Sequence, residues 1–327
     1  MPISESRLES ASQLLNALRR EITKTYLGQP EVLDGVLIAL LAEGHVLLEG
    51  VPGVAKTTLA KSCATALGCP MRRIQFTPDL LPSEITGSYV LDPRDASFSL
   101  REGPVFSSIV VADEINRAPA KTQAALLEAM QEAQVTIEGE SRSLPQPFMV
   151  IATQNPIDLE GTYPLPEAQL DRFMVHLKLD YPSEVIELEM LKTYGAANPL
   201  TQPVTNAQEL LSLRKLAKEI HCEEDVMNLA VQLCRQTRSR SEVLLGASPR
   251  ASLVLLQAAK AWALLSARSY VTPEDIRHCA SPVLSHRLIL RHELENDSSV
   301  REKIIQNAFH DAASPITRGP IESRFDT

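Results

Sequence analysis

The stretch "HVLLEGVPGVAKTTLAKSCATALG" constrains this chain more than any other. An apolar run ends at a glycine, and a loop of small residues follows. Lys56 and Thr57 then open a segment with apolar positions at Leu59, Ala60, Cys63, Ala64 and Leu67, closed by Gly68. Strand, loop and helix in that order let backbone N–H groups cradle phosphate oxygens, with the lysine reaching the β- and γ-phosphates and the next hydroxyl reaching Mg²⁺. The loop "GVPGVAKT" departs from G-x-x-x-x-G-K-[ST] at one place, where Ala55 stands for the last glycine. Alanine keeps the N–H; it is tolerable if its φ is negative, as at a helix start, and costly if φ must be positive. Gly50 and Gly53 remain where the turn itself is made. A working phosphate loop is therefore expected from Gly50, Val51, Pro52, Gly53, Val54, Ala55, Lys56, Thr57 and Thr58.

Four more apolar runs, in "RRIQF", "SIVVADE", "FMVIATQN" and "FMVHLKL", alternate with helical segments. Continuous Val/Ile/Leu runs of this length predict an α/β fold, with a parallel sheet covered on both faces. Upstream, a helical pattern over 11–42 is broken by Gly28-Gln29-Pro30, a turn between two helices. Beyond Pro182 the strand signal stops. "AQELLSLRKLAKEI", "EDVMNLAVQLCRQTRSR", "SPRASLVLLQAAKAWALLSAR" and "TPEDIRHCASPVLSHRL" read as amphipathic helices, and residues 195–205 have linker composition. The expected organisation is an α/β domain with N-terminal helices over 1–195 and an all-helical domain over 205–327.

A phosphate loop needs a partner carboxylate, and "SSIVVADEINRAP" supplies an acidic pair where a strand ends. Asp113 would hold the Mg²⁺ shell, and Glu114 would orient and deprotonate an attacking water. "FMVIATQNP" ends another strand in Thr153, Gln154 and Asn155, where a polar group either bonds a γ-phosphate or its water, or caps the turn before Pro156. "GASPRASLVLL" starts a helix with Ser248 as N-cap and Pro249 at the first position, which puts Arg250 in the first turn. A cation there opposes the macrodipole, so Arg250 fits either a phosphate partner or a surface ion pair. Arg172, just before the last strand, reads equally as a salt bridge to Asp171 or Glu167.

The net charge of −9 argues against a surface built for duplex nucleic acid. Residues 134–148 offer Arg142 against Glu138 and Glu140, with no aromatic before Phe148, which is poor equipment for tracking single strands. The five cysteines have no C-x-x-C pairing, and the seven histidines no H-E-x-x-H spacing; buried free thiols and no metal site of the protein's own are expected. No signal-peptide run opens the chain. The most apolar region, "VLDGVLIALLAEGHVLL", is too interrupted by Asp34, Glu43 and His45 to span a membrane. A cytoplasmic location is expected.

The order of "GVPGVAKT", "VVADEINRAPAKTQAALLEAMQE", "ATQNPIDLEGTYPLPEAQLDRF", "GASPR" and "YVTPEDI" resembles the MoxR family of AAA+ ATPases over nearly the whole chain. The resemblance implies an AAA+ P-loop αβα core with a parallel sheet and a small all-helical lid. It implies ATP hydrolysis with Mg²⁺ by a ring, a hexamer, that acts on a protein client in maturation or cofactor insertion. It also implies a partner bearing a von Willebrand factor A domain. On that likeness Lys56 and Thr57 belong to Walker A, Asp113 and Glu114 to Walker B, Asn155 to sensor 1 and Arg250 to sensor 2. Arg172 matches the arginine finger that reaches a neighbour's nucleotide, with Arg117 as the other candidate, and Gly28 and Gln29 resemble the stretch against adenine. "RIQFTPDLLPSEITGSYV" is similar to a helix-2 insertion, and "EAQVTIEGESRSLPQPFMV" to a hairpin with one arm over 134–137, both facing a central pore in the ring. A nucleic-acid-stimulated motor, a magnesium-chelatase-like motor subunit and a non-hydrolysing nucleotide-gated scaffold are the competing functions.

Overall fold

The computed structural model describes residues 3–51, 53–94, 96–156, 162–196, 199–294 and 298–317. Two compact units form, one of Ser10–Lys215 and the other of the chain on either side of it. Helices α1 (Glu5–Thr23) and α2 (Pro30–Leu41) lead into β1 (Val46–Gly50), α3 (Lys56–Ala66), β2 (Met71–Gln75) and α4 (Pro82–Thr86). A hairpin of β3 (Gly87–Asp92) and β4 (Ser97–Glu102) precedes β5 (Ile109–Asp113) and α5 (Ala120–Glu132). A second hairpin, β6 (Gln134–Ile137) with β7 (Glu140–Ser143), precedes β8 (Met149–Gln154). Then come α6 (Glu167–Leu170), β9 (Val175–Leu179), α7 (Glu184–Ala196) and α8 (Ala207–Glu219).

The five apolar runs are β1, β2, β5, β8 and β9, and they form one sheet in the order β2-β5-β8-β1-β9. Every neighbouring pair is parallel. The centre is dry because its sequence is apolar on both faces: all of β5 is buried, and so is β8 up to Thr153. On one face Leu47, Val110, Ala112, Val150 and Ala152 pack with Leu126, Leu127 and Met130 of α5 and with Phe173. Period-two alternation sends Leu48 and its neighbour Leu177 to the other face, where Leu177 lies against the backbone of α2 at Gly35. Full burial of each such Leu or Val contributes roughly 2 kcal/mol. The edge strand β2 buries only Ile74, and its exposed arginines blunt the edge against pairing with another chain.

Residues 199–205 depart from the linker that the Gly/Pro composition of 195–205 predicts. Helix α7 runs through Gly195, and the chain beyond Pro199 is bonded to the first unit's own helices. The Tyr194 hydroxyl donates to Thr25 O, Thr201 Oγ1 pairs with Thr25 Oγ1 at 2.8 Å, Gln202 N donates to Glu21 Oε1 at 2.8 Å, and Val204 N to Ala66 O at 2.9 Å.

The other unit is built on α9 (Glu224–Arg238), α10 (Pro249–Leu265), α11 (Pro273–Leu284) and α12 (Ser298–Thr317). Helix α9 buries Val226, Leu229, Ala230, Leu233, Cys234 and Thr237, the spacing of one helical stripe. Ser248 caps α10 by accepting from Ala251 N at 3.3 Å, with Pro249 at the first position. Asp275, buried inside the first turn of α11, takes a two-pronged bond from Arg268. An antiparallel pair, β10 (Val243–Leu245) with β11 (Ile289–Leu290), adds strand structure that the sequence does not announce. The five cysteines are free and buried, and burial pushes the Cys63 thiol up to about 12.

One buried side chain ties the sheet to its cover. His45, just ahead of β1, accepts from Val150 N through Nδ1 at 3.0 Å, which leaves the proton on Nε2, 2.9 Å from Met130 O near the end of α5. Its own carbonyl accepts from Met174 N. Burial holds its pKa down at about 4, against ~6.5 for an unperturbed histidine. A base whose pKa falls on folding binds fewer protons when folded. Stability is therefore lost as pH drops below about 6.5, and the loss is complete below about 4. Between pH 7 and pH 5 this one group removes about 2 kcal/mol. Urea unfolding at the two pH values should show His45→Gln losing about 2 kcal/mol less than the parent; equal losses would mean that His45 does not titrate in this range.

Candidate active site

The phosphate loop leaves β1 at Gly50, where the chain passes so close to β9 that a Cβ would stand 2.6 Å from Leu179 O. Gly53 adopts φ +87° with open space where a side chain would be. Helix α3 then begins with no side chain capping its N–H groups, no acid in its first turn and a lysine there instead. That is unfavourable for a bare helix and favourable for one that receives an anion. Lys56 Nζ donates to Gly50 O and, at 3.1 Å, to Gln154 O, so the cation is held across the ends of β1 and β8.

Ala55 is the N-cap of α3 with φ +61° and ψ 24°. The negative φ that would make alanine harmless is not what the fold demands; the residue is left-handed, as a glycine would be. The strain has a reason: the chain must reverse here to aim the first N–H groups of α3 into the cleft.

Beside the loop, the ends of β5 and β8 supply the acids and their holders. Asp113 is buried, and its carboxylate accepts from Thr57 Oγ1 at 3.2–3.3 Å, from Thr153 Oγ1 at 3.1 Å and from Arg73 Nε at 2.5 Å. Glu114 also has a left-handed backbone, φ +56° and ψ 52°, and its N–H donates to Thr153 Oγ1 at 2.9 Å. Its Oε2 accepts from Gln75 Nε2 at 3.0 Å and from Arg117 Nη1 at 3.1 Å. Asn155 is buried at the same edge, its carbonyl accepting from Asn116 Nδ2. Next to the loop, His176 Nε2 stands 2.8 Å from Glu49 Oε2, and that bond, with Gln154 also donating, keeps the Glu49 carboxyl below its usual range.

A cleft of about 350 Å³ is lined by Gly53, Ala55, Lys56, Thr57, Thr58, Asp113, Glu114 and Asn155, together with Arg73, Gln75 and Thr153. Gly50, Val51 and Val54 do not line it, and Pro52 lies outside the described residues. Gly28 and Gln29, at the start of α2, do not line it; nor does Arg172, whose Nη1 donates to Leu127 O at 2.7 Å on α5. Arg117 is close by, paired with Glu114 and half-exposed. Arg250 is exposed in the first turn of α10 in the other unit. Thr153 is one of the three polar strand-end residues expected from the sequence, whereas Arg73 and Gln75 are additions to it. Arg73 and Gln75 flank buried Ile74, so period two already puts them on one face of β2.

The left-handed Ala55 yields a test. Ala55→Gly relieves roughly 1–2 kcal/mol of strain, offset by the ~0.4–1 kcal/mol of entropy that glycine adds to the unfolded chain. Denaturant unfolding should therefore show a net gain of about 0.5–1 kcal/mol; a loss of stability would mean that the strain is not there.

Two family models match the chain: "ATPase family associated with various cellular activities (AAA)" over residues 45–175 and "AAA lid domain" over residues 235–308. The uncharacterized protein YeaC of Bacillus subtilis is 41% identical over 315 residues, 96% of this chain and 98% of that one. The chaperone MoxR1 of Mycobacterium tuberculosis is 41% identical over 304 residues, 90% of this chain and 81% of that one. A crystal structure of a Cytophaga hutchinsonii protein, proposed there to be an ATPase, superimposes with a TM-score of 0.85 at 39% identity, covering 92% of this chain and 96% of its own. With its parallel five-stranded sheet, its phosphate loop and its helical C-terminal region, the chain belongs to the MoxR family of AAA+ ATPases.

Proposed function

We propose that the chain hydrolyses ATP with Mg²⁺ as a ring-shaped homo-oligomer, a hexamer, and uses the turnover to remodel a protein client. The observation that carries this reading is the cleft itself, where an uncapped helix N-terminus, Lys56, a buried aspartate and a strained glutamate converge. The oxygens of Thr57 and Asp113 are hard donors of the kind Mg²⁺ takes, and N–H groups with Lys56 suit the phosphates. Bound there, the cation would draw charge off the phosphate oxygens during transfer.

The chain's own residues have separable parts. Gly53, Ala55 and the first turn of α3 bind phosphate, and Lys56 would leave its two carbonyls to do the same. Glu114 takes the proton of the attacking water as the new P–O bond forms and the bond to the ADP oxygen breaks. For that its Oε2 has to part from Gln75 and Arg117. Asn155 orients the water or the terminal phosphate. Arg172, absent from its own cleft, is the side chain we assign to a neighbour's site, with Arg117 second; Arg250 is assigned to the phosphates as the lid's contribution. Gly28 and Gln29 are assigned to the adenine side.

The proposed client and partner are supported by the family likeness. The name of the M. tuberculosis relative supports a chaperone. The family resemblance supports a partner with a von Willebrand factor A domain. The β3–β4 hairpin carries exposed Leu91 opposite exposed Phe98, which suits apolar protein segments better than phosphates. No described helix is long and apolar enough to cross a membrane. A cytoplasmic location for the ring is part of this proposal.

ATP turnover per chain, measured over a range of protein concentrations with Mg²⁺ and no partner, tests the shared site. Specific activity should rise with concentration and fall when Arg172 is replaced. Flat turnover down to monomer dilution would mean that each chain is complete alone. Glu114→Gln should retain ATP binding and lose turnover by about 10²–10⁴-fold; unchanged turnover would remove Glu114 from the chemistry.

A further inference from the structure

One ion pair in the cleft stands where the reading above puts the metal, and the inference here rests on that reading. Arg73 is on the edge strand, and its side chain is 54% exposed, yet its Nε lies 2.5 Å from Oδ2 of Asp113, whose side chain is 5% exposed. Thr153 bonds Oδ1, and Thr57 reaches both oxygens, so Arg73 is the only cation bonded to the Asp113 carboxylate among the described residues.

A carboxylate this buried is costly to leave without a positive partner. Two cations on the same carboxylate oxygen, in turn, repel each other. A guanidinium and a divalent ion are therefore alternatives at Oδ2. We infer that Arg73 is a resident counter-ion: it neutralises Asp113 until a divalent cation arrives with nucleotide, and then gives up Oδ2 to it.

Two features make the exchange feasible. The guanidinium is half-exposed, so water can take over its hydrogen bonds as it leaves, while the arriving cation replaces its charge at the buried carboxylate. Arg73 also has a second acceptor, since its Nη2 donates to Gln75 Oε1 at 2.8 Å, so the released side chain keeps an anchor on its own strand. The consequence is an order of loading. With Arg73 in place the bare cleft holds a divalent cation poorly, and the metal enters with the phosphates, whose negative charge tips the competition.

The test uses the full chain and a fluorescent ADP, titrated in EDTA and then with rising Mg²⁺. Arg73→Gln should reach half of the Mg²⁺-dependent gain in ADP affinity at about fivefold lower Mg²⁺ than the parent. Arg73→Lys, which keeps the charge on an exposed edge position, should fall between them and guards against a folding defect in the first variant. A Mg²⁺ midpoint that does not move in either folded variant overturns the proposal. So does an equal loss of ADP affinity with and without Mg²⁺, which would make Arg73 a phosphate contact. If the parent binds ADP but Mg²⁺ changes nothing, the counter-ion role fails and the nucleotide site stands. If the parent binds no ADP in any condition, the reading of the cleft fails and this inference with it.

Discussion

Everything at the C-terminal edge of the sheet depends on β8 lying between β1 and β5. Adjacent strands are about 4.8 Å apart, so the end of β1, where the phosphate loop begins, and the end of β5 at Asp113 are separated by roughly twice that, with one strand end in the gap. Thr153 fills it, taking the Glu114 N–H and giving its own proton to Asp113. Gln154, the next residue, offers its carbonyl to Lys56. A single strand end thus positions the cation of the loop and both acids. Its register rests on the apolar pairing of Val110 and Val111 with Val150 and Ile151, and on His45, which links the Val150 amide of β8 to the end of α5.

Rigid packing is what allows strain at the rim. Ala55 and Glu114 are both left-handed and both line the cleft. Each such conformation costs about 1–2 kcal/mol for a residue with a Cβ. It persists only where the surroundings over-determine it. Here the preceding strands are paired on both sides, β5 is fully buried and β1 is buried but for Glu49, and Glu114 is fixed further by its bonds to Thr153, Gln75 and Arg117. The strain turns two chain segments so that N–H groups on one side and a carboxylate on the other face a shared space.

The sheet was legible in the sequence because its strands are unbroken Val/Ile/Leu runs, and the amphipathic helices because their stripes are long. The hairpin arm over 134–137 and the Ser248 cap were legible from alternation and from cap chemistry. What escaped did so for physical reasons. Strands of three and two residues, as in β10 and β11, are too short to carry a period. The sign of φ at Ala55 depends on where the loop must point, which no local residue type states. Residues 199–205 have loop composition, but bonds to Thr25, Glu21 and Ala66, distant in sequence, hold them in place. Arg73 and Gln75 look like the solvated face of an edge strand, and only the Met71–Gln75 pairing with Ile109–Asp113 puts them beside the acids.

That pairing also couples the two carboxylates. Gln75 accepts from Arg73 through Oε1 and donates to Glu114 through Nε2, so its amide can face only one way. Flipped, it would set an NH₂ against a guanidinium and a carbonyl against a carboxylate, two repulsive contacts in place of two bonds. As long as Arg73 stays on Gln75, the amide is oriented to hold Glu114. If Arg73 moves off both Asp113 and Gln75, the amide becomes free to turn and Glu114 loses a donor. Asp113 and Glu114 are thereby linked through Arg73 and one neutral side chain, and the hold on Glu114 lasts for as long as Arg73 keeps its bond to Gln75.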